Sequence, residues 1–218
     1  MKKALLIIAI MAMVTKIAKA QYSVKETFDS NSLGWTESDY ESNNGTAIID
    51  KGVMTITSKG EKKGSGIFMT IMTGVPTKVG EDTHFETHCY APLDVTLPFQ
   101  IRTHVNIKKL DADQLVGLIF NYMDGGNFYV FSFNDEQINF LRFKDNKLVG
   151  YIDKGVKWSE KKKLDQEWLL DYDGSNLKFF VDGMEIMSVR YMSMEYGGVG
   201  FYTFGKQTLV VDDIEFIQ

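Results

Sequence analysis

Apolar and polar residues alternate with a period of two along most of the chain beyond residue 21. The clearest stretch is Glu167–Ser188, EWLLDYDGSNLKFFVDGMEIMS. Such alternation puts successive side chains on opposite faces of a strand, and here it predicts three short strands joined by two turns. Asp182-Gly183 is a two-residue hairpin signal, because this pair accepts the positive φ angles of a type I′ turn. That turn sets Val181 against Met184 and Phe179 against Ile186. The Asp173–Asn176 turn sets Tyr172 against Leu177, Leu170 against Phe179 and Trp168 against Val181. Both registers gather Trp168, Leu170, Tyr172, Leu177, Phe179, Val181, Met184 and Ile186 on one face. A meander with one apolar face has to cover it with a second sheet.

The same pattern predicts strands near Ser23–Phe28, Thr46–Ile49, Val53–Ser58, Ile67–Thr73, Thr83–Tyr90, Phe99–Lys108, Gln114–Tyr122, Asn127–Phe133, Ile138–Lys144, Leu148–Ile152, Gly198–Thr203 and Thr208–Ile217. Turn signals separate them, among them Lys51-Gly52, Asp124-Gly125-Gly126 and Asp145-Asn146. No helix is predicted beyond residue 21. Short strands with regular turns mean an all-β sandwich or barrel. Gly60–Gly66, rich in lysine and glycine, reads as an exposed loop. Asp212-Asp213 interrupts the alternation between Val211 and Ile214 and predicts a bulge.

The hairpin Leu115–Phe133 departs from the apolar-in, polar-out rule. One face holds Val116, Leu118, Phe120, Tyr122, Tyr129, Phe131 and Phe133, a dense core face. The other holds Leu115, Gly117, Ile119, Asn121, Phe128, Val130 and Ser132. That second face suits either a shallow concave surface, with gaps at Gly117 and Ser132 and a polar reach from Asn121, or a central strand pair with its back covered.

The first twenty residues read as a secretory leader. Lys2 and Lys3 form a basic start, Ala4–Val14 is an apolar run too short to span a bilayer, and Ala18-Lys19-Ala20 fits a cleavage site. Residues 21–218 are then expected to form one β-sandwich domain, exported to a periplasmic, cell-surface or extracellular location, with no membrane insertion after leader removal. Loss of the leader takes the formal charge from −5 to −9, since it carries four lysines and no acid. An acidic domain of this kind disfavours nucleic acid or an anionic membrane surface as the main partner. Cys89 is the only cysteine, so no internal disulfide forms; its alternation with Phe85 predicts a buried, inert thiol.

Candidate chemistry lies on two consecutive strands. His84, Glu86, His88 and Tyr90 share one polar face; Gln100, Arg102, His104, Asn106 and Lys108 share another. If these strands are neighbours with faces aligned, Glu86, His88, Arg102 and His104 converge into a site for sugar hydroxyls or a carboxylate; otherwise they form ordinary solvated faces. His84 and His88 alone cannot share a metal, because residues four apart in a strand are about 13 Å distant. No nucleophile elbow or phosphate-cradling loop is present.

Four segments, ETFDSNSLGW (Glu26–Trp35), GLIFNYMDGGNFYVF (Gly117–Phe131), WLLDYDGSNLKFFVDG (Trp168–Gly183) and GGVGFYTFGKQTLVVDDIEF (Gly197–Phe216), resemble the concanavalin A-like lectin/glucanase superfamily. The likeness leans toward its laminin-G-like and 3-keto-disaccharide hydrolase relatives in exported bacterial proteins. The resemblance implies a jelly-roll sandwich of two antiparallel sheets with first and last strands side by side, a concave face suited to sugars, and a structural calcium near the paired termini, for which Asp29 and Asp213 are the candidate ligands. The chain departs from the catalytic branches: it has no E-x-D-x-x-E strand, it lacks an NSGI-like motif, and Asn121 stands where many relatives have Arg. The expected function is therefore non-catalytic carbohydrate binding by an exported domain, with a glycan or polysaccharide-derived ligand. A glycoside hydrolase on the same scaffold and a protein-binding adhesion module are the alternatives. The expected ligand-binding residues are His88, Arg102, His104, Asn121, Phe128, Arg142 and Trp158, the last as a stacking platform in the polar Lys157–Lys163 loop. Glu86 is the first catalytic candidate to test. Oligomeric state is left open.

Overall fold

The computed structural model describes residues 22–37, 45–59, 85–108, 110–111, 114–155, 165–190 and 192–218. Among these the chain forms β-strands and no helix: β1 (Ser23–Glu26), β2 (Gly45–Asp50), β3 (Val53–Lys59), β4 (Phe85–Tyr90), β5 (Phe99–Ile107), β6 (Leu115–Asp124), β7 (Asn127–Phe133), β8 (Gln137–Lys144), β9 (Lys147–Gly155), β10 (Asp165–Tyr172), β11 (Leu177–Val181), β12 (Met184–Val189), β13 (Gly198–Phe204) and β14 (Lys206–Ile217). They build two antiparallel sheets. The eight-stranded sheet runs β12-β11-β10-β5-β14-β3-β2, with β1 also on β14; the six-stranded sheet runs β4-β13-β6-β7-β8-β9. The all-β, two-sheet sandwich is as expected, and the first and last strands pair, Ser23 opposite Ile217. The expected leader and the Ile67–Thr73 strand lie outside the described residues.

The core is aromatic and joins the sheets directly. Phe131 of β7 stacks on Phe179 of β11 at 5.1 Å and 4° between ring planes. Phe133 meets Trp168 edge-on at 5.3 Å, and Trp168 also touches Phe201 of β13. These rings are withdrawn from solvent because their strands alternate, with one residue in two facing inward. The Glu26–Trp35 segment closes one end. The buried Glu26 carboxylate accepts bonds from the Phe28 and Leu33 amides and the Ser32 hydroxyl, which holds Trp35 between Phe28 and Phe201.

The β10–β11 register is the expected one, with Trp168 opposite Val181 and Tyr172 opposite Leu177. Asp182 and Gly183 adopt φ of 49° and 76°, as a type I′ turn requires. The β11–β12 register differs. A bulge between Phe179 and Phe180 pairs Phe179 with Met187 instead of Ile186. The inserted residue breaks strict alternation, so Ile186 and Met187 are both buried. Val181 stays opposite Met184 as expected, yet Met184, beside the turn on the outermost strand, is exposed.

A second irregularity has more consequence. The β6–β7 register shifts between Phe120 and Asp124, and Asn121 sits there at φ 50°. Asparagine tolerates this left-handed conformation better than most residues. Against β13 the same stretch of β6 gains one residue, with Ile119 facing Gly200 and Tyr122 facing Gly198, and this moves Tyr122 from the expected core face to the outer face. The Asn121 side chain leaves the sheet altogether: its Oδ1 accepts the Glu195 and Tyr196 amides at 2.7 and 2.9 Å. Asn121 thus clamps the approach to β13 rather than reaching toward a ligand.

Two stability measurements follow. Trp168→Ala is expected to lower the free energy of unfolding by about 3–5 kcal/mol in a urea titration, through lost burial and the cavity left between sheets. Asn121→Ala is expected to cost about 1–3 kcal/mol, because it strips two amides of their acceptor and puts alanine in a left-handed conformation.

Candidate functional site

The edge of the six-stranded sheet carries the densest chemistry. In β4, Thr87 and Cys89 point into the core, and Glu86, His88 and Tyr90 point outward. Across the pairing, β13 places Gly200 opposite His88 and Gly198 opposite Tyr90. A Cβ at Gly200 would lie 3.1 Å from the His88 Cβ, and one at Gly198 would lie 2.7 Å from that of Tyr122. With no side chain between them, rings two strands apart meet over β13. The His88 imidazole stacks on Tyr122 at 4.1 Å and 27°.

An aromatic run results. Tyr90 lies at one end, 63% exposed, with its hydroxyl on the Met123 carbonyl at 3.2 Å. His88 meets it edge-on at 6.4 Å. Tyr122 follows, then Phe128 at 5.9 Å, which stacks on Phe143 at 4.7 Å. Polar groups lie along the exposed end. The Tyr122 hydroxyl donates to Glu86 Oε1 at 3.2 Å. Burial pushes the Tyr122 phenol upward, with the Glu86 charge adding to it, so the phenol stays a donor. Burial lowers the His88 pKa, and Glu86 opposes that only in part, so the ring is neutral at neutral pH. The backbone of Thr36 completes the β4 edge, its amide donating to the His88 carbonyl at 2.9 Å.

The expected convergence of Glu86 and His88 with Arg102 and His104 does not occur. β4 belongs to the six-stranded sheet and β5 to the eight-stranded one, so their outward faces lie on opposite sides of the sandwich. The chain crosses between sheets after Tyr90, and alternation within each strand cannot signal that crossing. His104 instead stands between Glu167, 3.5 Å from Nε2, and Asp213, 3.4 Å from Nδ1. Arg102 faces Glu215 at 3.9 Å. These are cross-strand pairs on a solvated face.

The other candidates are dispersed. Phe128 is buried inside the aromatic run and offers no open ring. Arg142 lies at the rim, over the Tyr129 ring at 5.5 Å. Asp213 sits at the expected bulge, its carboxylate bound by Lys25 at 2.9 Å, and Asp29 accepts the Thr27 hydroxyl. Among the described residues no group of three or more His, Cys, Asp or Glu side chains is arranged to hold a metal ion. Burial pushes the Cys89 thiol upward, so it is inert. His84 and Trp158 lie outside the described residues. Tyr90 and Tyr122 are the members that sequence reading left out. The signal for them was Gly198-x-Gly200, which marks where facing rings gain room.

Beyond the aromatic run, the outer face of the six-stranded sheet is buried too. Ile119, Val130, Leu141 and Tyr202 are fully withdrawn from solvent, with Leu115, Phe143, Leu148 and Phe204. Of the two expectations for this face, an open surface or a covered one, the covered one holds. Set within it, Ser132 and Asn139 are fully buried, and the Ser132 Oγ and both amide atoms of Asn139 lack a hydrogen-bond partner. A different depression, of about 700 Å³, lies on the eight-stranded sheet between the Asp173 turn and Lys178, Glu185, Ser188 and Arg190. It is polar and has no aromatic lining residue.

The lowered His88 pKa has a measurable consequence. Above the ordinary imidazole value of 6.5 its contribution to stability is fully present. Below it the unfolded chain takes a proton that the folded ring still refuses, so stability falls until folded His88 also protonates. The melting temperature is expected to drop between pH 7 and the acid side of 6.5, and His88→Phe to flatten that part of the profile.

The sequence matches no protein-family model and no curated protein. Solved structures do match over most of the chain. A carbohydrate-binding module, CBM66, from Bacillus subtilis aligns with 15% identity and a TM-score of 0.52, covering 83% of this chain and 95% of that one. A Bacillus licheniformis β-glucanase aligns with 12% identity and a TM-score of 0.57, covering 89% and 97%. A Bacillus subtilis protein of unknown function with a galectin-like fold aligns with 13% identity and a TM-score of 0.55, covering 88% and 94%. At these identities the likeness concerns architecture, and with the sheet order above it identifies the fold of this chain as the concanavalin A-like jelly roll.

Proposed function

We propose that this chain is an exported, non-catalytic carbohydrate-binding domain that takes a glycan at the Tyr90 end of the six-stranded sheet. The observation that carries this reading is the graded aromatic run, exposed at Tyr90 and anchored through His88 on Tyr122, with the Glu86 carboxylate beside it. A sugar ring presents a face of C–H groups and a rim of hydroxyls. An exposed tyrosine ring meets the first and a carboxylate or neutral imidazole meets the second. The carbohydrate-binding module and the glucanase among the structural neighbours support a glycan as the ligand. The leader-like first twenty residues support export.

Binding is favoured over hydrolysis by the state of the nearby acids. Two-carboxylate hydrolysis needs a protonated acid and a partner about 5–9.5 Å from it. Asp124, close enough to influence Tyr122, is committed to the β6–β7 turn, where Oδ1 accepts from the Gly126 amide and the Asn127 side chain. Those bonds hold its carboxyl below the usual range, which keeps it ionised and unfit as a general acid.

The test is affinity electrophoresis and calorimetry of residues 21–218 against lichenan, laminarin and mucin, with a reducing-sugar assay in parallel. At least one glycan is expected to bind without being cleaved. Tyr90→Ala is expected to weaken binding about tenfold, the loss of one stacking contact, with little change in melting temperature. Sugar release that disappears in Glu86→Gln would replace this reading with a hydrolase. Failure of all three glycans to bind would remove it.

A further inference from the structure

The eight-stranded sheet ends at β12, and its edge there differs from two others. At the β4 edge of the six-stranded sheet, Thr36 gives its amide to the His88 carbonyl at 2.9 Å, and its hydroxyl accepts the His88 amide at 2.9 Å. At β2, the far edge of the eight-stranded sheet, the Ile49 amide donates to the Glu37 carboxylate at 3.2 Å. Among the described residues, Glu185 and Ser188 of β12 and the following Arg190 make no hydrogen bond or ion pair beyond the strand ladder.

The ladder decides which backbone groups face outward. The type I′ turn at Asp182-Gly183 makes Val181 and Met184 exchange both bonds, and such pairs alternate with non-bonded ones. Ser188 lies opposite Lys178, between the bonded Phe179–Met187 and Leu177–Val189 pairs. Its amide and carbonyl therefore point away from β11, as do those of Glu185 opposite Phe180. Open backbone groups along an edge are a template for another strand. Bulges usually blunt such an edge, but the one between Phe179 and Phe180 has a different effect. It shortens the step from Ser188 to Glu185 to two ladder positions, from Lys178 to Phe180. Arg190 stands two positions from Ser188 on the other side. An acid and a base are thus placed symmetrically about a serine, all three exposed and lining the same depression of the sheet face.

We infer that β12 pairs antiparallel with β12 of a second copy of this chain, about a two-fold axis at Ser188. A two-fold interface is self-complementary, so each contact occurs twice. Glu185 faces Arg190 of the partner subunit, and Arg190 faces the partner's Glu185. Ser188 faces the partner's Ser188, and on the inner side Val189 meets the partner's Met187. The two eight-stranded sheets then run on as one. Opposite charges directly across a ladder are favourable and like charges are not, and this axis makes only the favourable kind. An edge contact is small, so the dimer forms reversibly. The pairing uses none of the residues at the Tyr90 end, which lies on the other sheet, so either can fail without the other.

The experiment is sedimentation equilibrium of residues 21–218 from about 1 μM to about 1 mM. The expected result is a reversible monomer–dimer equilibrium. Glu185→Arg and Arg190→Glu are each expected to weaken it about tenfold, because each opposes like charges twice. Mixing the two variants is expected to restore the dimer, since one copy then brings two bases and the other two acids. Both positions are exposed, and each variant is expected to melt with the parent, which separates lost pairing from lost folding. Ser188→Cys is expected to form an intermolecular disulfide on air oxidation. Bonded partners stand about 5.5 Å apart at Cα, within disulfide range, and the buried Cys89 does not compete. A monomer at every concentration would overturn the pairing. So would a dimer indifferent to both charge changes, one lost in each variant and not recovered on mixing, or a Ser188→Cys chain that fails to cross-link.

Discussion

Phe131 lies flat on Phe179 across the interior, and Phe133 meets Trp168 edge-on one row away. Everything else in the molecule depends on this contact between sheets. It commits β7 and β11 to face one another, and through their neighbours it orients both sheets. Once Phe131 and Phe133 face inward, the two-residue period forces Val130 and Ser132 outward. The outer face of the six-stranded sheet is thus assigned by the inner one. Its character, apolar but interrupted by Gly117, Ser132 and Asn139, is what separates this sheet from the charged outer face of its partner.

Local departures from regular pairing then place the chemistry. The left-handed Asn121 shifts the register of β6 and brings Tyr122 onto the outer face, where His88 stacks on it. Gly198 and Gly200 leave the room for that stack. The same bulge sends the Asn121 amide to the 195–196 backbone, so one residue both sets the aromatic run and secures the segment leading into β13. Bulges often re-aim side chains near functional sites, and here the mechanism is a change of face rather than a change of direction.

The buried Asn139 and Ser132 carry a cost. A polar group withdrawn from water without a partner weakens a fold by about 1–3 kcal/mol, a large share of the usual net stability. His88 shows the milder form: half-buried and stacked, it gives up stability on acidification in return for a neutral ring beside Glu86.

The alternation of residues by itself determined the strands, the type I′ turn at Asp182-Gly183, the Trp168–Val181 and Tyr172–Leu177 pairings, the bulge at Asp212-Asp213 and the inert Cys89. These depend on neighbours a few residues apart, so the information is local. Alternation also marked Gly117 and Ser132 as gaps in an otherwise apolar face. Only the tertiary structure decided which sheet each strand joins. Glu86 and His88 looked like partners of Arg102 and His104 because the strands are consecutive, yet the connection crosses the sandwich and separates them. The face occupied by Tyr122 and the pairing of Phe179 with Met187 were hidden for a related reason. A bulge of one residue reverses parity, and whether a bulge forms is settled by contacts with strands distant in the chain.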